Sequence, residues 1–194
     1  MPTLYIVRHG RAAAGWDTAV DPPLDEVGRD QARATATVLA HKMKTDSVPT
    51  PDVVSSPLRR CRETAEAFER EVKMTAQVEP RIAEIPSPEG IEMADRVTWL
   101  RRVMQGTWRN LAETEGVAYA EFHAHLVGWA RSLSRDTVAF SHFVAINALI
   151  GAALGDDRLV IRSLDNASIT VLQVDAHGVM TLVEGGSEAD TLIR

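Results

Sequence analysis

Short apolar runs alternate with amphipathic segments along most of this chain. Runs rich in β-branched and aromatic residues are typical of buried strands, and they lie at residues 4–7, 52–55, 76–79, 137–141, 169–174 and 179–183. Apolar residues at helical spacing predict helices at residues 26–43, 56–72, 93–108, 119–134 and 143–154. Strands that alternate with helices favour a mostly parallel sheet covered on both faces, and the last two strands add an antiparallel edge. We therefore expect a three-layer α/β/α sandwich in a single domain over residues 1–194.

Polar residues predict where two of these helices begin. Asp25 precedes the first helix and is a good N-cap, because its carboxylate can accept from free backbone N–H groups. Ser56 followed by Pro57 predicts the start of the second helix, with the serine as its cap. A turn at residues 175–178 should join the last two strands into a hairpin.

Composition narrows the classes of partner. The net charge is −6 and the isoelectric point is near 5.5, so we expect no nucleic-acid partner, which would need a basic face. The most apolar stretch, residues 138–154, contains Ser141, His142 and Asn147, which argues against a membrane span. Cys61 is the only cysteine, which favours a reducing compartment, and we expect a cytoplasmic protein. Composition makes no prediction of the oligomeric state.

Three of the predicted strands end in residues suited to phosphate chemistry. The first ends in Arg8-His9-Gly10, the second leads into the segment from Ser56 to Arg60, and a later one ends in Ser141-His142. Ligands of open α/β sheets bind beyond the carboxyl ends of the strands, so these residues can converge on one small site. An imidazole can attack phosphorus, and an arginine fork matches phosphoryl oxygens. The combination predicts a site for a small phosphorylated ligand.

Several motifs, in unbroken order, resemble the histidine phosphatase superfamily, the phosphoglycerate-mutase-like group. They are the strand and tripeptide at residues 4–10, the Leu…Gly…Gln-Ala segment at 23–32, the Ser-x-Leu-x-Arg…Thr segment at 56–65, the strand before the second histidine at 140–142, and Asn-x-Ser-Ile at 166–169. The resemblance implies the family's α/β/α fold and an enzyme that needs no metal or other cofactor. It implies a phosphomonoesterase that works through a phosphohistidine on a small phosphorylated substrate.

The same resemblance implies individual roles. His9 is the nucleophile; Arg8, Arg60 and His142 hold the phosphoryl oxygens, and His142 also takes part in catalysis. Glu84 matches the acid that protonates the leaving oxygen, and Glu89 is its nearest competitor, because the proline-rich loop could bring it to the pocket. The adjacent cations should keep His9 neutral, as a nucleophile must be.

Two departures from the family's pattern concern the substrate. Arg11 and a run of small residues that ends at Trp16 replace the usual polar residues after the tripeptide, and Phe143 replaces a glycine after the second histidine. Arg11, Trp16, Phe143 and Glu89 are therefore our candidates for substrate binding. A mutase, or a non-catalytic binder of phosphorylated ligands, remains as an alternative function, because both would use the same core motifs.

Other candidates have simpler interpretations. Cys61 lacks the arginine six positions later that a cysteine-phosphatase loop needs, since that position is Ala67. His123 and His125 are two residues apart, so they lie on different faces of a helix and do not suggest a metal site. The glycine-rich motifs of nucleotide-binding loops are absent.

Overall fold

The structure, a computed structural model that describes residues 1–48 and 50–189, is built around a six-stranded sheet. The strands are β1 (Thr3–Arg8), β2 (Asp52–Ser55), β3 (Gln77–Val78), β4 (Thr137–Ser141), β5 (Ile169–Val174) and β6 (Met180–Glu184). Their order is β3-β2-β4-β1-β5-β6. The first four strands along the chain pair in parallel, and the β5–β6 hairpin is antiparallel. The predicted parallel sheet with an antiparallel edge is confirmed.

Helices cover both faces of this sheet. They are α1 (Glu26–Thr45), α2 (Arg59–Val72), α3 (Arg96–Val103), α4 (Trp108–Glu115), α5 (Ala118–Arg131) and α6 (Phe143–Leu154). Helices α1 and α2 pack on one face, while α3 to α6 contribute to the core on the other. The three-layer arrangement is therefore confirmed.

Alternation along β1 determines how the two cores are built. Leu4 and Ile6 belong to the larger core, whereas Tyr5 and Val7 belong to the core beneath α1 and α2. Successive side chains of a strand point to opposite faces, so a strand that is buried on both sides must be apolar throughout. This is why the first apolar run does not alternate with polar residues, and why it can only be a central strand.

Two helix starts test the capping predictions. Asp25 caps α1 as predicted, since its carboxylate accepts from the backbone N–H of Gly28 at 2.7 Å. The predicted start of α2 at Ser56 is wrong, because this helix begins at Arg59. The backbone N–H of Ser56 still bonds to the carbonyl of Phe140 at 2.9 Å, so the residue extends the β2 strand. Its hydroxyl lies 2.7 Å from Nε2 of His142 and also accepts from the backbone N–H of Leu58 at 3.3 Å, so it closes a turn just before the helix.

The single helix predicted over residues 93–108 is also wrong. A short 3-10 turn at Met93–Asp95 leads into α3, which ends at Val103, and Trp108 begins a separate helix. The Thr107 hydroxyl accepts from the N–H of Asn110 at 3.1 Å and so caps α4. A threonine cap after Gly106 marks the start of a new helix. The helical spacing of Trp99 and Trp108 therefore does not mean that they share one helix.

Among the helices of residues 1–48 and 50–189, none is both long enough and apolar enough to cross a bilayer.

Candidate active site

Strand pairing brings the predicted chemical residues to the same edge of the sheet. Strand β4 lies between β1 and β2, and Arg8 stands opposite Ser141 in the register. Ser55 stands opposite Phe140. The residues that follow, His9, Ser56 and His142, therefore leave three parallel strands side by side at their carboxyl ends, where α/β proteins bind ligands.

Hydrogen bonds define the protonation state of His9. Its Nδ1 lies 2.7 Å from the carbonyl oxygen of Gly10, which can only accept, so Nδ1 carries the proton. Its Nε2 accepts from the Nε of Arg60 at 3.2 Å and therefore holds a lone pair. Burial lowers the pKa of His9 well below its usual value, and the charges of Arg60 and Arg8 lower it further. His9 is thus a neutral imidazole whose nucleophilic nitrogen, Nε2, faces a guanidinium.

The backbone around His9 is fixed on both sides. The carbonyl of His9 accepts from the N–H of Ala167 at 3.2 Å and from the side-chain amide of Asn166 at 3.3 Å. The N–H of Gly10 donates to the hydroxyl of Thr64 at 3.1 Å. A Cβ on Gly10 would overlap the carbonyl oxygen of Gly28, so only glycine allows this approach to α1.

His142 is fully buried beside His9. The two ring centroids are 5.3 Å apart and the planes meet at 63°. The Ser56 hydroxyl lies 2.7 Å from Nε2 of His142, and the sulfur of Cys61 is 3.3 Å from the same atom. Burial lowers the pKa of His142 well below its usual value, with further decreases from Arg60, His9 and Arg8. Burial raises the pKa of Cys61 to about 12, so the thiol stays protonated and packs against the imidazole.

Two buried arginines supply positive charge to the site. Arg8 and Arg60 are only 6% and 4% exposed. Burial lowers the pKa of Arg8 to about 10, which leaves the guanidinium charged at neutral pH. Arg8 donates to the carbonyl of Leu164 and lies over the ring of Phe143, 5.0 Å from its centroid. Neither of these two contacts cancels its charge, although the charges of Glu84 and Asp165 also act on it.

Glu84 completes the cluster from the opposite side, at the N-terminus of α6. Its carboxylate accepts from the backbone N–H groups of Ile85 at 3.0 Å, Val144 at 3.2 Å and Ala145 at 3.2 Å. Burial raises the pKa of Glu84 above its usual value, whereas these N–H groups and the charge of Arg60 oppose the increase. Its negative charge in turn acts on Arg8. A carboxyl with a raised pKa beside two cations can hold a proton and release it.

The structure brings together five of the predicted residues: Arg8, His9, Arg60, Glu84 and His142. Glu89 is exposed, and among the described residues it makes no ion pair or side-chain hydrogen bond. The geometry therefore favours Glu84 over Glu89 as the acid.

The remaining substrate-binding predictions fare differently. Arg11 stays a prediction as a substrate-binding residue; its side chain is partly exposed, and its Nε is paired with Asp25 at 2.6 Å. Phe143 also stays a prediction as a substrate-binding residue; it is 7% exposed and packs in the core, with Arg8 over its ring. Trp16 is partly exposed, and the guanidinium of Arg96 lies over its ring, 4.8 Å from the centroid.

Two further residues contribute: Thr64, which belongs to the motif at residues 56–65 but was given no role, and Asp21. Asp21 accepts from the backbone N–H of Arg59 at 2.7 Å and lies 4.0 Å from Arg60. Thr64 accepts from Gly10, and its own hydroxyl donates to the carbonyl of Arg60 at 2.7 Å. The position of Thr64, one helical turn after Arg60, was a signal for this role. Asp21 and Arg96 lie in loops or at a helix start and gave no such signal.

Comparisons with known proteins identify the family and agree with the fold. Residues 4–184 match the family described as the histidine phosphatase superfamily (branch 1). The chain is 28% identical to "Probable phosphoglycerate mutase GpmB" of Photorhabdus laumondii, over 95% of this chain and 90% of that protein. A solved structure called mycobacterial hydrolase 1 is 25% identical, with a TM-score of 0.70, and covers 97% of this chain and 99% of its own. A mycobacterial glucosyl-3-phosphoglycerate phosphatase solved with VO3 is 25% identical, with a TM-score of 0.65, over 89% of this chain and 93% of its own.

The fold and the two-histidine cluster define an enzyme that acts on phosphate groups, and the match over most of the chain places it in one family. The chain belongs to the histidine phosphatase superfamily, whose members are phosphatases or mutases.

Proposed function

We propose that the protein is a metal-independent phosphomonoesterase that forms a phosphohistidine on Nε2 of His9. One observation carries this proposal: the carbonyl of Gly10 fixes the proton on Nδ1, so the lone pair on Nε2 points toward the guanidinium of Arg60. A neutral, oriented imidazole beside two guanidinium groups is what attack on a phosphate monoester requires.

In the first step, Nε2 of His9 attacks phosphorus while the bond between phosphorus and the leaving oxygen breaks. Arg8, Arg60 and His142 donate to the three phosphoryl oxygens, and the phosphate replaces His9 as the acceptor for Arg60. Negative charge on these oxygens is offset by the arginines throughout the transfer, which is the main source of catalysis in such reactions. Glu84, protonated in the presence of the phosphate, gives its proton to the leaving oxygen.

In the second step, the Glu84 carboxylate takes a proton from water as the water oxygen attacks the phosphohistidine. The bond between phosphorus and Nε2 breaks, orthophosphate leaves, and His9 recovers its lone pair. The amide groups around Glu84 favour the carboxylate form between the two steps. The names of two relatives, a glucosyl-3-phosphoglycerate phosphatase and a hydrolase, support hydrolysis on a small phosphorylated substrate.

Rapid acid quench with a radiolabelled phosphate monoester tests the intermediate. We expect an acid-labile phosphoenzyme in the wild-type protein and none in His9→Ala. The exposed His125 provides the matched control, since His125→Ala should form the intermediate at the wild-type rate. Full activity in His9→Ala would refute the role of His9.

A phosphoglycerate mutase is the second candidate, because a relative that is 28% identical carries that name. Both activities share the first half-reaction and differ in whether water or a second hydroxyl accepts the phosphoryl group. Incubation of 3-phosphoglycerate with a trace of 2,3-bisphosphoglycerate separates them. Release of orthophosphate supports the phosphatase, whereas formation of 2-phosphoglycerate without release supports the mutase.

A cytoplasmic location is part of the proposal and rests on the sequence alone, because Cys61 is the only cysteine in the chain.

A further inference from the structure

Arg96 is the first residue of α3 and is held in place by neutral groups. Its guanidinium lies over the ring of Trp16, 4.8 Å from the centroid. Its Nε donates to the hydroxyl of Ser87 at 2.9 Å, and one terminal nitrogen lies 3.4 Å from the sulfur of Met93. An aromatic face and a hydroxyl orient a guanidinium without neutralising it.

The charge of Arg96 is uncompensated within the described residues 1–48 and 50–189. No carboxylate lies within ion-pair distance of it, although Arg11, Arg59 and Arg102, for example, are each paired with an acidic residue at 2.6–2.7 Å. A cation in the first turn of a helix is also unfavourable, because the N-terminal end of the helix dipole is positive. Burial lowers the pKa of Arg96, which adds to the cost of keeping it charged. A side chain that is held at such a cost gains from a ligand that neutralises it.

Arg96 also lies near the phosphate-binding cluster. Its contacts with Trp16 and Ser87 connect it to the two loops that leave the cluster, and the charge of Arg60, after burial, lowers its pKa. Its partner Trp16 follows the His9 loop, and Ser87 comes three residues after Glu84. The segments that carry the nucleophile and the acid therefore both reach Arg96. The loops that follow the carboxyl ends of the strands surround the cluster. The part of the substrate that extends beyond the phosphate must therefore contact such loops.

We propose that Arg96 is a specificity-determining residue that binds a second anionic group of the substrate, a carboxylate or another phosphate. Trp16 supports the guanidinium from one side and Ser87 fixes its rotation, so that its terminal nitrogens can donate to the anion. This inference rests on the proposed phosphatase activity and extends it to a substrate class: phosphate monoesters that carry a second negative charge.

Matched substrates isolate this second charge. 3-Phosphoglycerate and glycerol 3-phosphate differ only in a carboxylate in place of a hydroxymethyl group. Fructose 1,6-bisphosphate and fructose 6-phosphate differ by a second phosphate at a longer spacing. Steady-state release of orthophosphate from these four, and from p-nitrophenyl phosphate, should be compared for the wild type, Arg96→Gln and Arg96→Lys. Arg109→Gln is the control, because it removes the same charge from an exposed position on α4.

We expect the wild-type enzyme to favour the doubly anionic member of at least one pair in kcat/KM. Arg96→Gln should abolish that preference by raising KM about 10- to 100-fold, the usual effect of losing a hydrogen bond between charged groups. Its kcat, and its kcat/KM for p-nitrophenyl phosphate, should remain within about twofold of wild type. Arg96→Lys should retain part of the preference, and Arg109→Gln all of it.

Three results would overturn the inference. One is a wild-type enzyme that shows no preference within either pair, and another is a preference that survives Arg96→Gln. The third is an equal loss of activity toward p-nitrophenyl phosphate, which would mean that Arg96 supports the fold of the site. The proposed function fails separately, if the wild-type protein hydrolyses none of the five compounds and forms no phosphoenzyme.

Discussion

The neutral state of His9 results first from its burial and then from the charges of Arg60 and Arg8, whereas the hydrogen bond to the carbonyl of Gly10 acts in the opposite direction. The carbonyl of Gly10 accepts from Nδ1–H and so determines the tautomer, while Arg60 and Arg8 disfavour a positively charged ring. The same cations attract the phosphate, so a single arrangement both prepares the nucleophile and binds its target. Phe143 contributes indirectly, because its ring supports Arg8 from below. At this position the protein uses an aromatic side chain to place a guanidinium.

Glu84 and Glu89 can be separated by their dependence on the leaving group. Glu84→Gln cannot donate a proton, so kcat/KM for an alkyl phosphate such as glycerol 3-phosphate should fall by about 10²–10⁴. The loss for p-nitrophenyl phosphate should be much smaller, because its leaving group departs without a proton. Glu89→Gln serves as the control and should match the wild type with both substrates. A large loss in Glu89→Gln, with none in Glu84→Gln, would reverse our assignment.

The elements around the site depend on a close contact between the His9 loop and α1. A Cβ on Gly28 would overlap the carbonyl oxygen of Arg11, so the helix and the loop touch through backbone atoms. The contact places α1 directly behind Gly10, and Thr35 of the same helix donates to the carbonyl of Ala167 at 2.8 Å. Helix α1 thereby braces the two loops that hold the backbone of His9.

Replacement of this glycine should damage the site through the backbone. Gly28→Ala forces the loop away from α1, and we expect the free energy of unfolding to fall by about 1–3 kcal/mol, as for other overpacked positions. Gly128 is the matched control in α5, since a Cβ added there would have nothing within 4 Å of it. Gly128→Ala should be neutral or should stabilise by up to about 1 kcal/mol. Urea denaturation of both variants measures this, and equal stability would contradict the contact.

The whole molecule carries a net charge of −6, yet its site holds two buried cations. Arg8 and Arg60 lie there with two neutral histidines; Glu84 and Asp165 act on the charge of Arg8, and Asp21 lies 4.0 Å from Arg60. Folding therefore places two guanidinium groups side by side in an acidic protein, and their local field favours an anion despite the overall charge. In this environment, protonation of His9 and His142 is unfavourable.

Stability should accordingly decrease at mildly acidic pH. The pKa values of His9, His123 and His142 are lowered in the folded state, so below pH 6.5 the unfolded chain binds more protons than the native one. The free energy of unfolding should fall as the pH drops from 7 to 5.5, by at most about 1.4 kcal/mol per pH unit for each histidine. Glu84 has a raised pKa and acts in the opposite direction.

Denaturation curves at several pH values measure this slope. His142→Gln removes one of the contributing groups and should reduce the slope, whereas replacement of the exposed His125 should leave it unchanged. A wild-type stability that is constant between pH 7 and 5.5 would contradict the buried neutral histidines.

The sequence predicted the sheet and the cluster because both follow from local patterns. An apolar run without polar alternation must be a central strand, and residues at the ends of adjacent parallel strands must meet. Arg8, His9 and His142 each follow such a run, and Arg60 lies on the helix after another. Their convergence was therefore predictable, while their individual roles stay predictions until the variants are measured. The start of α2 was mispredicted because the backbone N–H of Ser56 pairs with the carbonyl of Phe140 on β4, a distant segment, and so continues the strand.

By itself, the sequence determined the layered fold, the strand ends and the residue types gathered there, because these depend on apolar periodicity and on neighbours in the chain. Only the tertiary structure decided which nitrogen of His9 is free, that Asp25 neutralises Arg11, and that Trp16 holds Arg96. Each of these depends on contacts between segments that come together only on folding. The sequence specifies the charge of a side chain, but the packing of distant loops determines whether a partner neutralises that charge or it stays available to a ligand.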